Sequence, residues 1–267
     1  MTKTREVEQA ERPGHAHLVG LLTFTSGCVD VVTLMVIGGS FTSVITGNLI
    51  FIGRAVGTSS LSAALHAIMA VAGYIVGVAI GSRLRWVLSR RAAPAPWPRS
   101  ATLVIAVEWS ILAAINIVWI SYGAAPPAAA TDVLLICAAL ALGMQGAAAR
   151  AITGSPSTTY MTGALTTLIE ALSTQGRRAV DPAALVGLLC LVAGAACSAL
   201  LVAHASRAAL LPPLVAVALV IVVKLRDHRD EQRANGTVTG RPDQLRSQAE
   251  GKAVACGMFW RCHTRRS

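Results

Sequence analysis

Apolar positions along this chain do not alternate with polar ones; they run together in eight blocks separated by short polar breaks. Six blocks are long and clean enough to cross a bilayer as helices: 18–38, 61–82, 101–121, 132–149, 183–203 and 208–224. A spanning helix needs roughly 17 to 25 mostly apolar residues, and 61–82 and 183–203 carry no charge at all. The remaining blocks, 43–57 and 158–173, are shorter and rich in Thr and Gly. Each follows a glycine-containing break, Gly38-Gly39-Ser40 before the first and Gly154-Ser155-Pro156 before the second. Non-helical backbone at membrane depth is tolerated only where protein or a water-filled cavity surrounds it. The two short blocks are therefore expected to be broken or re-entrant rather than full spans.

A shift of 116 residues lays Gly27 on Gly143, Gly38 on Gly154, Thr42 on Thr158, Thr46 on Thr162, Gly47 on Gly163 and Leu49 on Leu165. Ser43/Thr159 and Val36/Ile152 are conservative matches at the same offset. Each half then holds a span, a short Thr-Gly block and two more spans. Three crossings per half invert one half relative to the other, the pattern of many secondary transporters with interrupted helices near the midplane.

Composition agrees with a lipid environment: 54% of the residues are hydrophobic and 13% charged, against about 25% charged in soluble domains. The net charge of +10 would suit nucleic acid, but its distribution does not. Ten of the 23 Lys and Arg lie from Lys224 onward, and five lie between Arg83 and Arg99 with no acid among them. Basic residues at span ends mark the cytoplasmic side. The 83–99 loop is accordingly inside and the 121–132 connection, without Lys or Arg, outside. Arg150, Arg177 and Arg178 fall inside if 158–173 does not cross, and both termini are cytoplasmic. The expected divisions are an N-terminal tail 1–17, a first membrane repeat 18–121, a second 122–224, and a disordered basic tail 225–267.

Cys28, Cys137, Cys190 and Cys197 fall inside apolar blocks, where each serves as a small hydrophobe. Cys256, Cys262 and His263 fall short of the usual four zinc ligands, so no metal and no cofactor is expected. Residues 1–17 mix basic and acidic side chains without a clear small-residue cleavage site, which leaves the first apolar block as an anchor. Phosphate-loop, His-Glu-x-x-His and Gly-x-Ser-x-Gly patterns are absent from the sequence, and no enzyme is expected.

Gly27-Cys28-Val29-Asp30, Thr46-Gly47-Asn48, Gly143-Met144-Gln145 and Thr162-Gly163 form an ordered set of motifs. In these the chain resembles the YoaK-like family of bacterial membrane proteins, whose function is not established. The resemblance covers roughly residues 18–224 and implies a helical bundle in a bacterial inner membrane, with no assigned substrate. The family commonly follows its Gly-Met-Gln with Asn, where this chain has Gly146.

Asp30 is the sharpest candidate for chemistry, because an ionised carboxylate inside a span costs on the order of 3 kcal/mol even on the lenient insertion scale. It is the candidate for proton coupling, for cation or substrate binding, or for hydrogen-bonded helix glue. Thr46, Gly47 and Asn48, with Thr162 and Gly163, come next: two such breaks facing each other would enclose a polar site, and small residues packing intact helices are the alternative. Gln145 and Asn116 are interior amides, either glue or pathway. Glu108 is expected either at the cytoplasmic interface, less than two turns away, or in a relay within the span, and Glu170 in an ion pair with Arg150, Arg177 or Arg178. Gly73, Gly77 and Gly81 form a four-residue ladder suited to helix packing, and His66 alone decides nothing.

The function read from these features is a multi-pass transporter or permease for a small solute, with Asp30 as its coupling residue. The alternative is a channel-like or structural membrane interaction protein without transport activity. The expected partners are the lipid bilayer and a small solute, with room for a homo-oligomer and none for nucleic acid.

Overall fold

The computed structural model describes residues 13–58, 61–90, 97–153, 160–174 and 181–239, and these are helical with no strand among them. Among the described residues eight α-helices follow one another: α1 Pro13–Val36, α2 Ile45–Thr58, α3 Leu61–Ser89, α4 Arg99–Ser121, α5 Ala128–Thr153, α6 Tyr160–Thr174, α7 Pro182–His204 and α8 Leu211–Thr239. Six of them, all but α2 and α6, are long and apolar enough to cross a membrane. At about 1.5 Å per residue, the 14 residues of α2 reach about 21 Å, short of the roughly 30 Å hydrocarbon layer.

Local chemistry sets the helix ends. Pro13 opens α1, where a missing N–H costs nothing. Asp181 caps α7 by accepting from the Ala183 N–H at 2.8 Å, with Pro182 next to it. Left-handed Gly38 and Gly39, at φ 80° and 64°, stop α1 and turn the chain into the loop before α2. Within α1 the hydroxyls of Thr23, Thr25, Ser26 and Thr33 donate to carbonyls one turn back, which lets them enter the interior.

Two helix pairs dominate the packing, α1 with α7 and α3 with α5. Both depend on glycine. A Cβ on Gly77 would stand 2.1 Å from the Leu140 oxygen, and one on Gly143 2.3 Å from the Tyr74 oxygen. In the other pair, a Cβ on Gly194 would stand 2.1 Å from the Phe24 oxygen and one on Gly27 2.2 Å from the Leu191 oxygen. The order of contacts makes each pair parallel. Gly73, Gly77 and Gly81 meet Ile136, Leu140 and Met144 in turn, while Gly20 meets Val186 and Gly27 meets Leu191 and Ala195.

Relative to α1, α5 runs the other way, since Gly38 abuts Leu135 whereas Ser26 is bonded to Gln145. Gly38 also abuts His66, so the chain between α1 and α3, including α2, leaves and returns at one end of the bundle. That end holds the His66–Asp132 pair at 3.0 Å and the Trp119 indole donating to the Ser206 oxygen at 2.9 Å. At the other end Arg85 donates to the Ala147 oxygen at 2.7 Å and Ser89 meets Ser100 at 2.8 Å. Trp119, Ile105, Leu135, Leu142 and Met144 fill the interior. The outer faces stay apolar: Leu189, Val192 and Leu200 on α7 are all more than 60% exposed, which suits contact with lipid chains.

The chain divides into two compact units, residues 1–222 and 223–267. Helix α8 continues to Thr239, past residue 225 where the basic tail was expected to begin. Arg, Glu and Gln in this stretch are good helix formers and extend a ladder already nucleated by the apolar span. A Lys224–Asp227 pair at 2.8 Å bridges one turn within it. Residues 240–267 of that expected tail lie outside the described residues.

Candidate functional site

Ile37, Ser40, Thr42 and Ser43 in the loop between α1 and α2 are buried, and the backbone there must find partners inside the protein. Asp30 supplies two of them. Its Oδ1 accepts from the Thr42 N–H at 2.6 Å, the Thr42 hydroxyl at 2.8 Å and the Ser43 N–H at 2.8 Å; its Oδ2 accepts from the Ser43 hydroxyl at 2.5 Å. Asn48 completes the work from the first turns of α2. Its Oδ1 accepts from the Phe41 N–H at 3.0 Å and its Nδ2 donates to the Phe41 oxygen at 2.6 Å. Asp30 and Asn48, separate candidates in the sequence, thus hold one loop from two sides.

One turn earlier on α1, a second polar group joins three helices. The Ser26 hydroxyl donates to Gln145 Oε1 of α5 at 2.8 Å. The Gln145 amide in turn faces the carboxyl of Glu108 on α4. Glu108 is 0% exposed. Both its oxygens, and Gln145 Nε2, lack a hydrogen bond of good geometry. Asn116, two turns further along α4, is buried with its Oδ1 likewise unpartnered. Of the two placements open to Glu108, an exposed one at the helix end and an enclosed one, the structure has the enclosed one. Helix α4 begins at Arg99, which puts Glu108 about 14 Å along a 23-residue helix.

The short helices do not face each other as the sequence suggested. Helix α2 packs on α3 and α6 on α7, and no extended contact joins α2 to α6. Thr46, Thr162 and Gly163 lie exposed, and Gly47 is half-buried against the Phe41 ring, which stacks on Phe51. The reason is geometric: each short helix folds back on the long helix that follows it, and α1 and α5 are the most buried of the long helices. Glu170 lies exposed on α6 beside Leu165, Thr166 and Ile169. It makes no ion pair among the described residues, and Arg177 and Arg178 lie outside them.

Comparison with known proteins places this architecture. Residues 18–223 match the family described as protein of unknown function (DUF1275). The chain is also similar to the UPF0700 transmembrane protein YoaK of Bacillus subtilis (strain 168), at 31% identity over 157 residues. That alignment covers 58% of this chain and 66% of the relative, so the chain spans about two thirds of the relative's length. No solved structure matches. With three quarters of its length inside that match, and with six apolar helices, the chain belongs to this uncharacterised family of multi-spanning membrane proteins.

Proposed function

We propose that this protein is a permease for a small solute in a bacterial inner membrane, built as two inverted three-span repeats with both termini in the cytoplasm. The observation that carries the reading is the reciprocity of the glycine crossings. Gly143 on α5 meets Tyr74 and Val78 of α3, and Gly27 on α1 meets Leu191 and Ala195 of α7 in the same form. The first helix of each half thus packs in parallel on the third helix of the other, while α1 and α5 run in opposite directions. Such exchange between inverted halves is the architecture from which alternating access arises in secondary transporters.

Two further features support it. The polar groups of α1 form layers one turn apart, at Asp30 and at Ser26, on the side turned into the bundle. Arg83 and Arg90 stack on Trp86 near the end of α3, an interfacial arrangement at the end assigned to the cytoplasm by charge. Within this reading Asp30 is a positioning residue. Its carboxylate is saturated by Thr42 and Ser43, and it shapes the loop that walls the pathway.

The test is uptake into proteoliposomes containing the purified protein, with a panel of amines, sugars, amino acids and carboxylates, with and without an imposed pH gradient. A saturable flux above empty vesicles is expected for at least one class. Flux proportional to concentration without saturation would favour a channel, and no flux for any class would remove the transport reading.

A further inference from the structure

The structure holds two buried carboxyl groups, treated in opposite ways. Asp30 receives four hydrogen bonds and its position is fully accounted for by the loop it holds. Glu108 is more deeply buried and receives none of good geometry, with the Gln145 amide facing it. A buried unpaired charge is strongly penalised, whereas the carboxylic acid carries no charge to desolvate. A group in this setting is suited to binding and releasing a proton.

We propose that Glu108 is the proton-binding residue of this protein, with Gln145 and Ser26 as the partners that follow its protonation state. The inference rests on the permease reading for its role, though the site stands on geometry. An amide offers both a carbonyl acceptor and an N–H₂ donor, and a hydroxyl offers both as well. With a proton on Glu108, its O–H donates to Gln145 Oε1. After that O–H bond breaks and the proton passes to water, the amide turns to donate through Nε2 to the carboxylate. Ser26, now a donor to Oε1 at 2.8 Å, accepts or donates as the amide turns. One proton is bound and one released per cycle, and no other bond changes.

The titratable groups on the neighbouring helices have partners of their own, the buried Lys224 of α8 pairing with Asp227. Arg85 on α3 is engaged with the Ala147 oxygen, and Arg83 stacks on Trp86. His66 on α3 and Asp132 on α5 pair with each other, and Arg150 lies at the opposite end of α5. Asp30 on α1 is held by Thr42 and Ser43. No charged residue lies between Leu211 and Val222 on α8.

Infrared spectroscopy of the full chain in lipid vesicles tests this without a substrate. A protonated carboxyl gives a C=O stretch distinct from that of a carboxylate. Wild type should show such a band, losing most of its amplitude as the pH is raised. Glu108→Gln should lose it, Asp30→Asn should keep it, and Gln145→Leu should shift its frequency without abolishing it. A band that persists in Glu108→Gln, or that is absent or invariant with pH in the folded wild type, overturns the proposal. The permease reading fails separately: absence of saturable uptake leaves this spectrum untouched, and an invariant band beside intact uptake removes Glu108 alone.

Discussion

Replacing Gly77 or Gly194 by alanine forces a methyl group to within 2.1 Å of a main-chain oxygen, that of Leu140 or of Phe24. An ordinary C···O approach is about 3.3–3.6 Å, so the helix axes must separate by roughly 1 Å at each crossing. No rotamer change relieves the contact, because the obstructing atoms are backbone. Overpacking of this kind costs about 1–3 kcal/mol, and the upper end applies where nothing can yield. Alanine returns about 0.5–1 kcal/mol through its better helix propensity, leaving a net loss of about 2 kcal/mol. Gly53 and Gly57 on α2 are the controls, since a Cβ there meets nothing within 4 Å. Their alanine variants should gain about 0.5–1 kcal/mol from propensity alone, so the two sets should differ by close to 3 kcal/mol. Unfolding in mixed micelles with increasing dodecyl sulfate, followed by tryptophan fluorescence, measures the difference. If Gly77→Ala and Gly194→Ala unfold at the same detergent fraction as Gly53→Ala, the crossings do not hold the bundle together and the reasoning fails.

Asp30→Ala strands the buried N–H groups of Thr42 and Ser43 and should cost about 3 kcal/mol in the same assay; a change below a third of that would mean the loop finds other partners. Trp119→Phe removes the bond to the Ser206 oxygen and should cost about 1 kcal/mol, whereas Glu170→Gln, on an exposed face, should stay within about 0.5 kcal/mol of wild type. On a cysteine-free background, Ala128→Cys and Asp181→Cys should react with a membrane-impermeant thiol reagent from opposite sides of the membrane. Reaction from one side would contradict the six-span topology.

The spans were legible because lipid imposes a simple rule on sequence: long runs without charge. The α3 glycine ladder was legible for the same reason, as a spacing of four falls on one helix face. Gly194 escaped notice because the second half has an extra residue before its third helix: Gly77 and Gly194 differ by 117 positions, Gly27 and Gly143 by 116. A fixed offset lays Gly77 on Ala193 and hides the pair. Glu108 stayed open between two placements because distance along the sequence from the first apolar residue does not tell which neighbours enclose a side chain. Its partner Gln145 is 37 positions away on another helix, and nothing in either local sequence connects them. The fate of Thr46 and Thr162 depended on which helix each short segment folds against, which is decided by three-dimensional packing and leaves no periodic trace.

The exchange of partners between halves has a consequence for biogenesis. When α1 leaves the ribosome, the helix it will pack against lies more than 150 residues downstream, with Gly27 awaiting Leu191 and Phe24 awaiting Gly194. At translation rates of about 5–20 residues per second, that interval lasts roughly 10–30 s. Throughout it, the face of α1 that carries Gly20, Phe24 and Gly27 lacks its native partner, and an insertion chaperone or a helix from a second nascent copy is the natural substitute. A chain truncated after Thr174 should therefore be cleared by membrane proteases, and co-expression of the missing segment should rescue it. Stability of the truncated chain on its own would show that the first half matures without waiting for the second.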